Sequence, residues 1–204
     1  MVAYGALAGL VNAAPVLAAP LDVLALGDSL TAGYGVMAPD SFPAQLERAL
    51  KAKGHDVRMI NAGVSGDTSA GGLARLDWIL ASHPRAAIVE LGANDGLRGL
   101  DPARMAANLD AIVAKLQGAG IEVLLTGMEA PPNLGTDYAK AYRAAFAQVA
   151  QTRKVAFYPF FLEGVAGRPE LNQADGMHPN PKGVEVLVSR LLPEVERLLA
   201  RVRP

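Results

Sequence analysis

Between Val23 and Gly35 the chain passes from four consecutive apolar residues straight into a polar, glycine-rich turn, with no spacer between them. Val23 to Leu26 have the all-apolar pattern of a strand buried on both faces, the kind found in parallel sheets. Gly27 then permits a sharp turn, and Asp28 and Ser29 follow it. A small hydroxyl is thereby placed at the carboxyl end of a strand, where open α/β sheets gather their ligands. Ser29 is the first candidate for chemistry, set against the plainer reading that Asp28 and Ser29 only bond local backbone in a βα turn.

Strand and helix signals alternate along the rest of the chain. A helix through Leu46, Ala49 and Leu50 follows the Asp40-Ser41 cap and ends at Gly54. A strand covers 57–61, the glycine-rich run 62–72 reads as a loop, and a helix continues through Leu73, Leu76 and Ile79 to Leu80. A third strand at 86–91 ends in the turn 92–96. Asp101-Pro102 then start a long helix with Met105, Leu109, Ile112, Val113 and Leu116 on one face, stopped by Gly118 and Gly120. A fourth strand at 121–126, a Pro-containing loop at 127–137, a helix at 138–152, a fifth strand at 155–158 and a terminal helix with its core at 184–202 complete the order. Repeated βα units of this kind predict an α/β fold in which a five-stranded parallel sheet carries helices on both faces.

The size and charge of the chain bound its partners. At 204 residues and 51% hydrophobic, it is long enough for one domain with a full core. Nineteen basic residues stand against twenty acidic ones with no long run of either sign, so nothing marks a nucleic-acid surface, and the expected partner is a small molecule. The absence of cysteine removes thiolate nucleophiles and Cys-ligated zinc. Oligomeric state is left open.

Residues 1–19 contain no charged side chain and end in Val16-Leu17-Ala18-Ala19, the apolar pattern of an export signal with a cut after Ala18. Residues 1–18 are accordingly read as a signal peptide and 19–204 as a single domain of a periplasmic or secreted protein. No Lys or Arg precedes the apolar run, so an extra apolar element on a cytoplasmic domain is the alternative. Gly5, Gly9, Asn12 and Pro15 interrupt the stretch and argue against a stable membrane span.

The strand order sorts the polar residues onto two rims. Ser29, the 63–67 loop, Asn94-Asp95 and Glu129 all follow strands, whereas His55 and His83 precede them and should sit on the opposite rim. Of the three histidines only His178 remains as a base. It stands three residues after Asp175, a spacing that lets one turn aim a carboxylate at the imidazole, with Pro179 holding His178 extended. Ser29, His178 and Asp175 together form a unit of acyl transfer: a hydroxyl nucleophile, its base and an orienting carboxylate. Such chemistry needs donors for an oxyanion. The N–H of Ser29, a glycine N–H after the second strand (Gly63 or Gly66) and the side-chain NH₂ of Asn94 can supply them. Ala130, Pro131 and Leu134, in the loop after the fourth strand, give an apolar surface suited to an acyl chain.

The blocks Gly27-Asp-Ser-Leu30, Gly66, Gly92-Ala-Asn-Asp95 and Asp175-Gly-Met-His178 occur in the order found in SGNH (GDSL-type) hydrolases, which the chain resembles from about Leu21 to the terminal helix. Within that family, Asn61-Ala-Gly-Val-Ser-Gly-Asp-Thr68 and Val89-Glu-Leu-Gly-Ala-Asn-Asp-Gly-Leu-Arg-Gly99 are similar to the bacterial periplasmic thioesterase/lysophospholipase/arylesterase branch. The resemblance implies a three-layer α/β/α, flavodoxin-like sheet and a catalytic set of Ser29, Asp175 and His178. It implies an oxyanion hole from Ser29, Gly66 and Asn94, choosing Gly66 over Gly63, with no metal or organic cofactor. Acyl or aryl esters and thioesters are the implied substrates. A carbohydrate O-acetylesterase on the same scaffold is the enzymatic alternative. A non-catalytic binding protein would be expected to lose one of Ser29, Asn94, Asp175 or His178, and none is lost. The G-x-S-x-G elbow of α/β-hydrolases is absent around Ser29. Gly33-Tyr-Gly-Val-Met-Ala38 fits a dinucleotide pattern but begins six residues past Gly27, too late to close the strand.

Overall fold

The computed structural model describes residues 19–202, so the export signal read from residues 1–18 lies outside the described residues. In chain order the elements are β1 (Leu21–Gly27), α1 (Ser29–Ala32), α2 (Phe42–Ala52), β2 (Val57–Gly63), α3 (Ser69–Leu80), β3 (Ala86–Glu90) and α4 (Ala93–Leu97). They continue with α5 (Pro102–Gly118), β4 (Glu122–Thr126), α6 (Thr136–Arg153), β5 (Ala156–Tyr158) and α7 (Pro181–Leu199). The strands form one parallel sheet in the order β2-β1-β3-β4-β5. On one face α2 packs against α7; on the other α3, α5 and α6 form a row. This is the parallel sheet with helices on both faces expected from the alternating signals, in the three-layer, flavodoxin-like arrangement that the family resemblance implies.

The sheet centre is apolar because both of its faces are covered. Val23, Leu24 and Leu26 of β1 and Ala86, Ala87 and Val89 of β3 are fully inaccessible to solvent, and Leu46, Leu50, Leu109 and Ile112 close over them from the helices. One polar residue interrupts this pattern: Glu90, the last residue of β3, is as buried as its apolar neighbours.

Most element ends fall within one to three residues of the sequence reading, and the larger differences lie at 62–72 and 92–96. The run 62–72 is not wholly loop: Ala62 and Gly63 extend β2 because they pair with Leu26 and Gly27 of β1, and α3 starts at Ser69. Thr68 caps that helix, its side chain accepting from the N–H of Gly71. Gly72 sits within α3 for a packing reason, since a Cβ there would lie 2.3 Å from Leu91 Cδ1. The turn 92–96 winds into the short helix α4, whose first peptide follows Gly92 at φ 117°.

His55 and His83 lie before β2 and β3, on the rim away from Ser29. His55 Nε2 stands 3.3 Å from Glu196 on α7.

Candidate active site

Ser29 is the first residue of α1, two residues past the end of β1. Asp28 caps this helix, its Oδ1 accepting from Leu30 N–H at 3.0 Å while the side chain stays fully buried. Gly27 is required beneath the turn: a Cβ there would lie 2.0 Å from Thr31 Oγ1 and 2.6 Å from Glu90 Oε2.

The base comes from the opposite end of the chain. A bridge between Asn172 and Pro179 closes the loop that carries Asp175 and His178, and Gln173 N–H donates to the His178 carbonyl at 2.8 Å. The Gln173 side-chain amide donates to the carbonyls of Tyr34 and Pro179, tying the loop to the turn that follows Ser29. Asn180 caps α7, accepting from the N–H groups of Lys182 and Gly183 at 3.0 Å each. His178 is thus anchored directly ahead of a long helix.

Within this frame His178 Nε2 stands 3.0 Å from Ser29 Oγ, and His178 Nδ1 stands 2.7 Å from Asp175 Oδ2. With the Nδ1 proton directed to the carboxylate, Nε2 is the acceptor for the serine hydroxyl. The ring of Tyr34 lies against the imidazole with centroids 4.6 Å apart. Backbone N–H groups of His178 and Met177, together with the imidazole, hold the Asp175 carboxyl down to about 2.

Asn94, in α4, donates through Nδ2 to Asp28 Oδ2 at 3.0 Å and to the Asp67 carbonyl at 2.9 Å. Its amide therefore bridges the turn after β1 and the loop after β2. Gly66 adopts φ 84°, a conformation that favours glycine, and its carbonyl accepts from Arg98 Nη2 at 2.8 Å. The loop is held further by Arg75, whose Nε donates to Asp67 Oδ2 at 2.6 Å and whose Nη2 donates to the Gly27 carbonyl at 3.0 Å. Ser29, Asn94, Asp175 and His178 meet at one point, with the Gly66 peptide beside the Asp67 carbonyl that Asn94 engages.

A cleft of about 320 Å³ opens from this point. Met128, Ala130 and Pro131 line it from the loop after β4, and Phe160 and Leu162 from the segment after β5. Leu134 does not line it, contrary to the expectation from its loop. Pro132 begins a short 3-10 turn that carries Leu134 away, so that its Cδ2 lies 3.7 Å from where a Cβ on Gly99 would stand. The wall formed by Phe160 and Leu162 was not anticipated, although both follow a strand and so obey the rule that picked out Ser29 and Asn94.

Asp28 and Glu90 were also missed as a unit. Burial pushes the Asp28 carboxyl up to about 6, and burial next to Asp28 pushes Glu90 well above its ordinary range. A charged residue inside the otherwise apolar run 86–91 was the signal available in the sequence.

The sequence profile of the GDSL-like Lipase/Acylhydrolase family matches residues 25–186. The chain is 43% identical over 183 residues to the esterase TesA of Pseudomonas aeruginosa, covering 89% of this chain and 91% of that protein. It is 42% identical over 159 residues to thioesterase 1/protease 1/lysophospholipase L1 of Escherichia coli K12, covering 78% and 75%. The crystal structure of AlinE4, an SGNH-hydrolase family esterase, shares its fold with a TM-score of 0.76 and 48% identity, covering 90% of this chain and 98% of that one. A profile matching most of the chain and relatives above 40% identity over most of its length establish that the protein belongs to the GDSL-like lipase/acylhydrolase family.

Proposed function

We propose that this protein hydrolyses carboxylic esters and thioesters, with aryl or single-chain acyl substrates, through an acyl-enzyme on Ser29. The observation that carries this reading is the continuous contact from Asp175 through His178 to Ser29 Oγ, at 2.7 and 3.0 Å, at the mouth of a cleft walled by apolar side chains.

In the first half-reaction Ser29 Oγ attacks the acyl carbon as its proton passes to His178 Nε2, and Asp175 stabilises the imidazolium formed. The negative charge on the carbonyl oxygen is received by the N–H groups of Ser29 and Gly66 and by Asn94 Nδ2. The full charge of the oxyanion outcompetes the neutral Asp67 carbonyl for one Asn94 amide hydrogen while the other stays on Asp28 Oδ2. Collapse of the intermediate expels the alcohol or thiol, protonated by His178, and water repeats the sequence to release the acid.

The cleft also bears on substrate class. Met128, Pro131, Phe160 and Leu162 suit an alkyl or aryl group, whereas a carbohydrate O-acetylesterase would want a short polar pocket. The uncharged apolar segment at 1–18 supports export to the periplasm or beyond.

A fluorophosphonate probe tests the nucleophile. It should label the protein once, at Ser29, and Ser29→Ala should lose both labelling and turnover of p-nitrophenyl butyrate. Labelling at Ser65 or Ser69 would overturn the assignment.

A further inference from the structure

We propose that Glu90, acting through Asp28, is a positioning residue for this hydrolysis: the two carboxyl groups hold the side-chain amide of Asn94 with its nitrogen, not its oxygen, turned to the oxyanion. The inference rests on the reading of Ser29 as nucleophile and Asn94 as an oxyanion donor.

The Asn94 amide has an orientation because of what surrounds it. Its Nδ2 faces two acceptors, Asp28 Oδ2 and the Asp67 carbonyl. A flipped amide would set its oxygen against both of them. That orientation is secure only while Asp28 is a carboxylate, since a protonated Asp28 could donate to a flipped Asn94. Asp28 already uses its other oxygen to accept from Leu30 N–H, so both oxygens are committed as acceptors.

Glu90 explains how a fully buried Asp28 remains an acceptor. It pairs in register with Gly27 on the neighbouring strand, and its Oε2 accepts from Thr31 Oγ1 at 2.8 Å and from Asp28 N–H at 3.4 Å. Its Oε1 is buried with no hydrogen-bond partner among the described residues, a costly state for a carboxylate oxygen. One proton resolves both problems. Carried by Glu90, it turns the orphan oxygen into a donor toward the Asp28 carboxylate, and two adjacent buried carboxyls avoid carrying two charges. The chain of donors then runs from Glu90 to Asp28 and from Asn94 to Asp28, with each group having a single role. The other titratable groups that interact with the pair are Asp67, His178 and Tyr142, with Arg75 reaching the Gly27 carbonyl. The Leu30 N–H, the Asn94 amide and His178 favour the charge on Asp28, and Asp67 opposes it.

The experiment is a set of double-mutant cycles on the full chain, following kcat and KM for p-nitrophenyl butyrate. Asp28→Asn leaves one oxygen for Leu30 N–H and turns an NH₂ toward Asn94, so it should lower kcat by about 10- to 100-fold with KM within about threefold, within the range of a weakened oxyanion donor. Glu90→Leu should do the same, and Glu90→Gln, which still donates to Asp28, should recover to within about threefold of the parent. In the Asn94→Ala background the Asp28→Asn and Glu90→Leu losses should disappear, because the residue they act through is gone. Losses that multiply with Asn94→Ala, an unchanged kcat in Asp28→Asn, or Glu90→Gln no better than Glu90→Leu would each overturn the proposal. If circular dichroism shows that Glu90→Leu does not fold, the Asp28→Asn cycle decides alone. Phosphonate labelling of Ser29 without coupling to Asn94 refutes only this inference, whereas absence of that labelling refutes the reading beneath it.

Discussion

Asp175 holds His178 at two places at once. Its Oδ1 accepts from the His178 backbone N–H at 3.0 Å, and its Oδ2 faces the imidazole Nδ1 at 2.7 Å. A three-residue spacing achieves this because the intervening chain makes a tight turn, with Met177 N–H also on Oδ1 at 2.9 Å. The carboxylate therefore fixes both the turn and the tautomer.

From that relationship follows the effect of Asp175→Asn. The amide oxygen can still receive the backbone N–H groups, but the NH₂ would face Nδ1 and move the ring proton to Nε2, where it blocks acceptance from Ser29. Activity on p-nitrophenyl butyrate should fall about 10³- to 10⁴-fold in kcat with little change in KM. The charged form is favoured in the folded protein, so this interaction is fully present above the ordinary value of 3.8 and is lost as pH falls through about 2. A pH–rate limb between 5 and 7 that vanished in Asp175→Asn would contradict this.

Asn94→Ala should lower kcat by roughly 10²- to 10³-fold while KM changes little, as expected when one donor to the transition state is removed. The substitution also unpairs the Asp67 carbonyl and one oxygen of Asp28. A thermal melt run alongside separates the two effects, since a loss of rate at unchanged Tm belongs to the chemistry.

Chain-length selectivity should follow the walls of the cleft. Each buried methylene contributes about 0.8 kcal/mol, so kcat/KM should rise three- to fourfold per added carbon until the cleft is full. Leu162→Asp should depress activity on octanoyl esters far more than on acetyl esters, and Leu134→Asp should show no such bias, because Leu134 turns toward Gly99. A p-nitrophenyl ester series from acetate to palmitate measures both, and equal losses in Leu162→Asp would place the acyl chain elsewhere.

What the sequence revealed follows from what carries periodic or positional information. The strands at 23–26 and 86–91 were legible because burial on both faces leaves apolar residues everywhere but at Glu90, and Ser29, Asn94 and His178 because position after a strand, or elimination of the other histidines, singled them out. The ends of β2 and α3 were obscured by glycines chosen for close packing, as at Gly72 against Leu91, which look like loop residues when read alone. The course of 131–134 depends on where Pro132 starts its 3-10 turn, and no pattern of hydrophobicity encodes that direction. The Asp28–Glu90 contact joins two strands that are neighbours in the sheet but 62 residues apart in the chain. It could be read only after the sheet order was known.

The buried carboxyl of Glu90 should leave a signature in the pH dependence of stability. Burial and the neighbouring Asp28 raise its proton affinity in the folded state well above that of the unfolded chain. Folding therefore takes up a proton once the pH exceeds the ordinary value of 4.5. The stability this group contributes is intact below 4.5 and declines as pH rises, by about 1.4 kcal/mol per pH unit for one proton, until the folded-state value is passed. Glu90→Gln keeps the size and the donor but has no proton to take up. The Tm of the variant minus that of the parent should therefore grow more positive between pH 4 and pH 7, by about 2–4 °C for each kcal/mol in a chain of this length. Titrating groups that do not interact with Glu90 are common to both proteins and cancel in the difference, so what is left belongs to the Glu90–Asp28 pair. A difference that stayed flat across this range would mean that Glu90 is ionised in the folded protein, with its unpartnered oxygen carrying charge.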